Sequence, residues 1–180
     1  MSIHIEPYQG RCADSVRKDI EYIIESYSGP GLYLDNRQKP MIYIYDSYHT
    51  PARDWARLLA PGNNKTILCH FRYNNRIEGD ISIRNTKYDC TVISLYLDKT
   101  NDALVLKGGF DGFYTYFGSV GFTYGSTPKN WNALSQFAQQ HNKIFIPSVS
   151  PGYIDTRIRP WNSINTKDRK VRGKNRFTQI

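Results

Sequence analysis

The sequence predicts an α/β protein built on a parallel sheet. Apolar strand-like runs alternate with segments of helical periodicity along most of the chain, which indicates parallel strands joined by right-handed crossovers. No glycine-rich dinucleotide or P-loop motif follows the first run, which disfavours a doubly wound nucleotide-binding sheet. The chain has 180 residues, whereas a complete (β/α)8 barrel needs roughly 200 to 250. We therefore expect an incomplete (β/α)8 TIM-type barrel containing about five of the strands.

The first two units have the clearest boundaries. A strand at 3–8 is followed by a helix with Asp14 as its cap and apolar residues at helical spacing as far as Tyr27. The aromatic and β-branched run 41–48 predicts a buried second strand. Thr50 is then expected to cap the second helix, with Pro51 at its first position.

Three more strands are predicted at 90–97, 113–117 and 143–149. A short helix at 101–107 follows the third strand and stops at two glycines, and Thr127 with Pro128 begins a helix after the fourth. We expect a partial barrel domain over 1–164, an irregular loop or insertion at 62–87 to which we assign no chemistry, and a divergent tail over 165–180.

The charge of the chain is concentrated at its end. The formal net charge is +8, and 165–180 contains six Lys or Arg against one Asp. Because the remainder is only mildly basic, we expect no nucleic-acid partner. Cys12, Cys69 and Cys90 lack CxxC spacing, and no His–carboxylate set has metal-ligand spacing, so we expect no metal and no cofactor.

Candidate ligand residues follow the apolar runs, because the carboxyl ends of parallel strands form the ligand-binding edge of such folds. Carboxylates there accept hydroxyl hydrogen bonds, and aromatic rings pack on the C–H faces of sugars, so the site suits a neutral polyhydroxylated ligand. Asp111 is also placed with this group. The candidate substrate-binding residues are Glu6, Tyr8, Asp46, Tyr48, His49, Tyr114, Tyr116, Tyr153 and Arg159.

Structural roles compete with this interpretation. Glu6 and Asp46 could be carboxylates satisfied by backbone amides or by a buried Arg or Tyr, and His49 could lie at the surface. Tyr114 and Tyr116 have the same parity on one strand and could fill the barrel interior. Arg159 could clamp nearby carboxylates. These alternatives stay open at the level of sequence.

Five blocks of the chain resemble the endo-α-1,2-mannosidase family of glycoside hydrolases. They are His-Ile-Glu-Pro-Tyr at 4–8, Pro-Met-Ile-Tyr-Ile-Tyr-Asp-Ser-Tyr at 40–48, Gly-Phe-Asp-Gly-Phe-Tyr-Thr-Tyr at 109–116, Gly-Phe-Thr-Tyr-Gly-Ser at 121–126, and the stretch from Phe145 to Asn162. Their order and spacing match as well as the residues. The resemblance extends over 3–169 apart from 68–80.

The resemblance implies a (β/α)8 barrel that cleaves glucosylated mannose arms of N-glycans with retention of configuration. It implies residence on the lumenal side of the Golgi membrane, anchored by an N-terminal helix outside this sequence. It also implies a pair of glutamates in a Trp-x-Glu motif as the acid and base, and 1–180 contains no such motif. We therefore expect the catalytic pair beyond Ile180, no catalytic residue within the chain, and a partial polypeptide. The alternative is a non-catalytic carbohydrate-binding or non-folding fragment.

Overall fold

The computed structural model describes residues 2–27, 31–61, 81–116, 121–149 and 160–161. They form five strands and four α-helices in alternation. The strands are β1 (Ile3–Ile5), β2 (Met41–Ile44), β3 (Thr91–Tyr96), β4 (Gly112–Thr115) and β5 (Ile144–Ile146). The helices are α1 (Ala13–Tyr27), α2 (Ala52–Leu59), α3 (Asn101–Lys107) and α4 (Trp131–Gln140), with short 3-10 turns at Ser47–His49 and Pro128–Asn130.

The strands form one sheet in the order in which they occur along the chain, and every pairing is parallel. Ile42 pairs with Ile3 of β1 on one side and with Val92 of β3 on the other. Sequential order without a reversal is the arrangement of a barrel rather than of a doubly wound sheet, whose strand order turns back at a switch point. The predicted five-stranded parallel sheet is therefore confirmed.

Side chains alternate between the two faces of each strand, and the helices cover one face. The outer face packs against α1, α2 and α3 through an apolar cluster that includes Ile44, Trp55, Leu58 and Val92, all fully buried. A second outer cluster joins β4 to α4 through Phe113, Trp131 and Leu134. These contacts explain why the helical segments carry apolar residues on one side only.

Element boundaries differ from the predicted ones mainly at the strand ends. β2 ends at Ile44 because Asp46 takes a left-handed conformation, with φ of 47° and ψ of 41°, which stops the extended run. Helix α2 begins at Ala52 with Pro51 in the cap position, whereas Thr50 is extended, so the expected Thr50 cap is wrong. Asp14 lies within the first turn of α1 and is not the cap.

The amino end of the sheet is held by Arg84, which follows the fully buried Ile83. All five guanidinium N–H groups have acceptors: the carbonyl oxygens of Leu59, Cys90 and Gly109 and the carboxylates of Asp89 and Asp111. Burial of Arg84 opposes its charge, but Asp111 and Asp89 raise its pKa above the ordinary value. Arg84 therefore ties α2 and the start of β3 to the segment that enters β4.

Asp111 was predicted to be at the ligand edge, and the structure places it at the opposite end. It immediately precedes β4, and its Oδ2 accepts hydrogen bonds from Arg84 Nη2 at 2.8 Å and from the Val92 amide at 2.9 Å. The prediction is wrong because Asp111 comes before Gly112, the first paired residue of β4, and so lies where the strand begins. It is a structural carboxylate.

Asp35 forms a second buried polar centre at this end. Its carboxylate accepts hydrogen bonds from the Arg37 and Lys39 amides, from Arg37 Nε and from Thr91 Oγ1 on β3. Burial alone would raise the pKa of Asp35, but these hydrogen bonds outweigh it and lower the pKa from 3.8 to about 2. The carboxylate consequently fixes the turn that leads into β2.

We expect Arg84→Met to lower the free energy of unfolding by about 3 kcal/mol, since removing one partner of a buried ion pair leaves the other unpaired. Urea titration followed by circular dichroism measures this change. Lys18→Met, on the exposed side of α1, is the matched control and should change stability by less than about 0.5 kcal/mol. An equal loss of unfolding free energy in both variants would show that Arg84 does not specifically stabilise the fold.

We expect Asp35→Asn to lower the free energy of unfolding by about 2 kcal/mol at neutral pH. This is the stability that corresponds to a carboxyl pKa lowered from 3.8 in the unfolded chain to about 2 in the folded protein. Because the folded pKa is depressed, this contribution is present above pH 4 and is lost as the pH falls toward 2. The difference in unfolding free energy between wild type and variant should therefore narrow over that range. A constant difference from pH 6 to pH 2.5 contradicts this assignment.

Candidate functional site

The carboxyl ends of the parallel strands lie along one edge of the sheet, which we call the mouth. Glu6 follows β1, Tyr45 and Asp46 follow β2, and Tyr116 follows β4. The shared strand direction brings these side chains together although they are separated by more than 100 residues in the chain. The mouth therefore unites most of the predicted ligand residues that the structure describes.

The face of the sheet opposite the helices is rich in aromatic side chains. His4 stacks on Tyr43 with ring centroids 4.9 Å apart, and the edge of Tyr114 meets His4 at 5.4 Å. Nearer the mouth, Tyr45 and Tyr116 pack edge to face at 6.3 Å. The four tyrosine rings pack with the apolar residues Met41, Ile93 and Leu95. The inner face thus presents flat apolar rings that carry polar groups at their edges.

Tyr114 has an unusual environment within this face. The residue is 7% exposed, and among the described residues its hydroxyl has no hydrogen-bond partner. Burial raises the pKa of Tyr114, and the neighbouring Tyr45, Glu6 and Asp46 raise it further. Asp46 and Glu6 also act on Tyr45, whose pKa is raised first by burial and then by Tyr116, Asp46 and Glu6. Two carboxylates and three phenols therefore share one region.

Asp46 lies in a tightly held turn after β2. Arg11, in the loop between β1 and α1, donates from Nη1 to the carbonyl of Tyr45 and from Nη2 to that of Asp46, each at 2.6 Å. The buried Ser47 places its carbonyl oxygen 2.9 Å from the indole Nε1–H of Trp55 on α2. The turn is thus bonded to two other elements of the fold.

The Asp46 side chain organises the two residues that follow. Tyr48 Oη donates to Asp46 Oδ1 at 2.8 Å, and His49 Nε2 lies 4.0 Å from Asp46 Oδ2. The rings of Tyr48 and His49 contact each other with centroids 4.6 Å apart. Burial, together with the Asp46 hydrogen bond, raises the pKa of Tyr48 to about 12. Asp46, Tyr48 and His49 therefore form one polar rim at the mouth.

Glu6 is exposed at the mouth, close enough to His4 and Tyr45 for its charge to act on both. Burial lowers the pKa of His4, and the negative Glu6 opposes that effect. The burial effect is the larger of the two, so the environment of His4 favours the neutral ring. Glu6 has the exposure that a carboxylate needs in order to accept hydrogen bonds from a ligand.

Tyr8 differs from the other predicted residues. Its hydroxyl bonds to Ser15 at 2.7 Å and to Asp19, both on α1. Burial and the Asp19 hydrogen bond raise its pKa. Its hydroxyl is thus bonded to α1, and the ring is the part of the side chain that remains at the surface. Tyr153 and Arg159 lie outside the described residues.

Arg11 is a site residue that sequence reasoning missed. It lies in the β1–α1 loop, which reaches the mouth in a (β/α)8 barrel, and it follows Gly10, whose φ is +80°. A basic residue after a turn glycine in such a loop was the available signal. The backbone acceptors that Arg11 bonds are visible only in the structure.

The described residues contain no group of three or more potential metal ligands. Within the same residues, no helix has the length and hydropathy required to cross a membrane.

Comparison with known proteins relates this arrangement to one group of enzymes. The sequence profile of glycosyl hydrolase family 99 matches residues 1–178. The glycoprotein endo-alpha-1,2-mannosidase of Xenopus laevis is 45% identical over the full chain, and that of Rattus norvegicus is 42% identical over 97% of it. The structure of the GH99 endo-alpha-mannosidase from Bacteroides thetaiotaomicron superposes with a TM-score of 0.78 and 46% identity over 93% of this chain.

The chain spans only part of each relative. It corresponds to 37% of the Xenopus laevis protein, 35% of the Rattus norvegicus protein and 44% of the solved Bacteroides thetaiotaomicron chain. Within that part, the five parallel strands and their helices have the family's barrel architecture. On the agreement of sequence and fold, this chain belongs to glycosyl hydrolase family 99.

Proposed function

We propose that this chain forms the substrate-binding part of an endo-α-1,2-mannosidase that acts on glucosylated mannose arms of N-glycans. The observation that carries the proposal is the convergence of Glu6 and Asp46 with the phenols of Tyr45, Tyr114 and Tyr116 at the mouth. Membership in a glycoside hydrolase family supports a glycan as the ligand. The names of the relatives support mannose as its sugar.

Each group has a physical role in this proposal. Glu6 and the free acceptor capacity of Asp46 receive hydrogen bonds from sugar hydroxyls. The rings of Tyr45 and Tyr116, both part-buried, pack against C–H faces of the pyranose. The hydroxyl of Tyr114, buried without a partner among the described residues, gains one when a ligand or an ordered water reaches it. Tyr48 and His49 contribute the outer rim, and we assign Tyr8 a surface ring contact.

Proton transfer requires acidic groups beyond those that bind. Hydrolysis of a glycoside needs a proton donor for the leaving oxygen, and such a donor commonly contributes about 10²- to 10⁴-fold to the rate. The resemblance to the family assigns this role to a Trp-x-Glu motif, and residues 1–180 contain none. We assign Glu6, Asp46 and the tyrosines of the mouth to binding and orienting the glycan. Tyr153 and Arg159 remain proposed ligand residues on the resemblance alone.

We also infer that the chain acts on glycoproteins in the Golgi lumen. The relatives are named glycoprotein endo-alpha-1,2-mannosidases, which supports a role in glycoprotein processing. Lumenal Golgi residence and attachment to the membrane come from the family resemblance. Immunolocalisation of a tagged chain expressed from its own gene, compared with a Golgi marker, tests this inference.

We expect the purified chain to bind a glucosylated α-1,2-linked manno-oligosaccharide, and we expect Glu6→Gln and Asp46→Asn each to weaken binding about tenfold. A carboxylate is a stronger acceptor than an amide, and a tenfold change in affinity is 1.4 kcal/mol. Isothermal titration calorimetry measures the affinities. Glu25→Gln, in the last turn of α1 and therefore at the amino end of the sheet, is the matched control and should bind as wild type does. Binding that is unchanged in both site variants contradicts the proposed site.

We expect no detectable release of oligosaccharide when the same chain is incubated with a glucosylated N-glycan, because binding groups without a positioned proton donor do not cleave the bond. Mass spectrometry of the products measures release. Cleavage by the chain that is abolished in Glu6→Gln or Asp46→Asn would overturn the assignment of these carboxylates to binding alone.

A further inference from the structure

We propose that Arg11 is a positioning residue of the sugar site, which sets the direction of the Asp46 carboxylate by fixing the backbone on both sides of it. Only the ligand-binding part of this inference rests on the proposed function. Arg11 is part-buried and does not need to contact the ligand, because it acts on the Asp46 main chain.

The geometry of the two hydrogen bonds explains how Arg11 sets the direction of the Asp46 carboxylate. The Tyr45 carbonyl belongs to the peptide plane that precedes the Cα of Asp46, and the Asp46 carbonyl belongs to the plane that follows it. Arg11 Nη1 and Nη2 hold these two oxygens at 2.6 Å each. Since φ and ψ describe the rotation of these planes about the Cα, one guanidinium restrains both angles of Asp46. The direction of its Cα–Cβ bond is thereby fixed.

The conformation that Arg11 holds is one that Asp46 would not otherwise favour. Successive carbonyls point to opposite sides of an extended strand, so they converge on one donor only where the backbone takes helical angles. Asp46 has φ of 47° and ψ of 41°, in the left-handed region, where non-glycine residues are uncommon and aspartate is among those tolerated. Strained backbone of this kind persists only where neighbours over-determine it.

The turn has other restraints, and one of them shares an acceptor with Arg11. His49 N–H also donates to the Asp46 carbonyl, at 3.1 Å, and Trp55 Nε1–H donates to the Ser47 carbonyl at 2.9 Å, but neither of these two donors bonds the Tyr45 carbonyl. The side-chain bond from Tyr48 to Asp46 depends on where the carboxylate already points. Among the described residues, the Arg11 side chain is the one that donates to both the Tyr45 and the Asp46 carbonyls, which lie on either side of the Asp46 Cα.

The chain supplies a matched control for this role. Arg17 on α1 also reaches two successive carbonyls, donating from Nη1 to Ile81 at 2.6 Å and to Ser82 at 2.8 Å. That clamp holds a segment outside the mouth and the candidate site. Arg17→Met therefore removes the same charge and two carbonyl hydrogen bonds, together with the Arg17–Glu21 ion pair, without touching the Asp46 turn.

The first experiment measures the Asp46 backbone in the absence of ligand. In isotope-labelled full chain, the amide–Hα coupling and the Cα and Cβ chemical shifts of Asp46 report its φ and ψ. We expect wild type and Arg17→Met to give left-handed values and Arg11→Met to lose them. Arg11→Lys should give intermediate values, because an ammonium lacks the planar two-nitrogen fork. Left-handed values in both Arg11 variants would overturn the proposal.

The second experiment measures the affinity for the glucosylated manno-oligosaccharide by calorimetry. We expect Arg11→Met to weaken binding about tenfold, Arg11→Lys about threefold, and Arg17→Met less than twofold. In an Asp46→Asn background, Arg11→Met should change affinity by less than about twofold, since two residues that act through one group are not additive. Full additivity of the two changes, or equal losses in the Arg11 and Arg17 variants, would overturn the proposal.

The two experiments separate failure of the inference from failure of the proposed function. If wild type binds no manno-oligosaccharide while the left-handed Asp46 depends on Arg11, the proposed ligand is wrong and the backbone role stands. If Arg11→Met does not fold, Arg11→Lys decides both measurements. A folded Arg11→Lys variant could bind the ligand normally although its Asp46 is no longer left-handed. That result would overturn the link between the Asp46 backbone conformation and the affinity for the ligand.

Discussion

All five described strands run in the same direction, and this constraint decides where the residues of the candidate site lie. Parallel strands end at one edge, so the residues that follow β1, β2 and β4 meet there although they are distant in sequence. The period of two within each strand then divides the side chains between two faces. One face is apolar and packs against four helices, and the other presents aromatic rings and polar groups.

Two arginines hold the opposite ends of this sheet by the same chemistry. Arg84 at the amino end satisfies all five of its donors with three carbonyls and two carboxylates, and it joins segments that are far apart in sequence. Arg11 at the mouth bonds two successive carbonyls in one turn. A planar guanidinium suits both tasks because its donors are fixed relative to one another. The first arrangement stabilises the fold, and the second shapes the site.

Sequence reasoning was most successful where local and tertiary preferences agree. Helix α3 was predicted at 101–107 and is found at Asn101–Lys107, because its amphipathic spacing and the glycines after it act within one short segment. Strand ends were predicted too long, since an apolar or aromatic run continues past the last backbone pair. Tyr45 shows this well: it continues the pattern of β2 but already belongs to the turn that Arg11 holds.

The sequence by itself determined the alternation of strands and helices, the five strands, the likeness to a family of glycosidases, and the placement of Glu6 and Asp46 toward the carboxyl ends of their strands. These features follow from side-chain periodicity, turn residues and motif order, which are written locally in the chain. Only the tertiary structure decided that Asp111 is a partner of Arg84, that Tyr8 bonds to α1, and that Arg11 holds Asp46 in a left-handed turn. Each of these facts depends on a hydrogen bond to a distant segment, and the three-dimensional fold alone brings such donors and acceptors within reach.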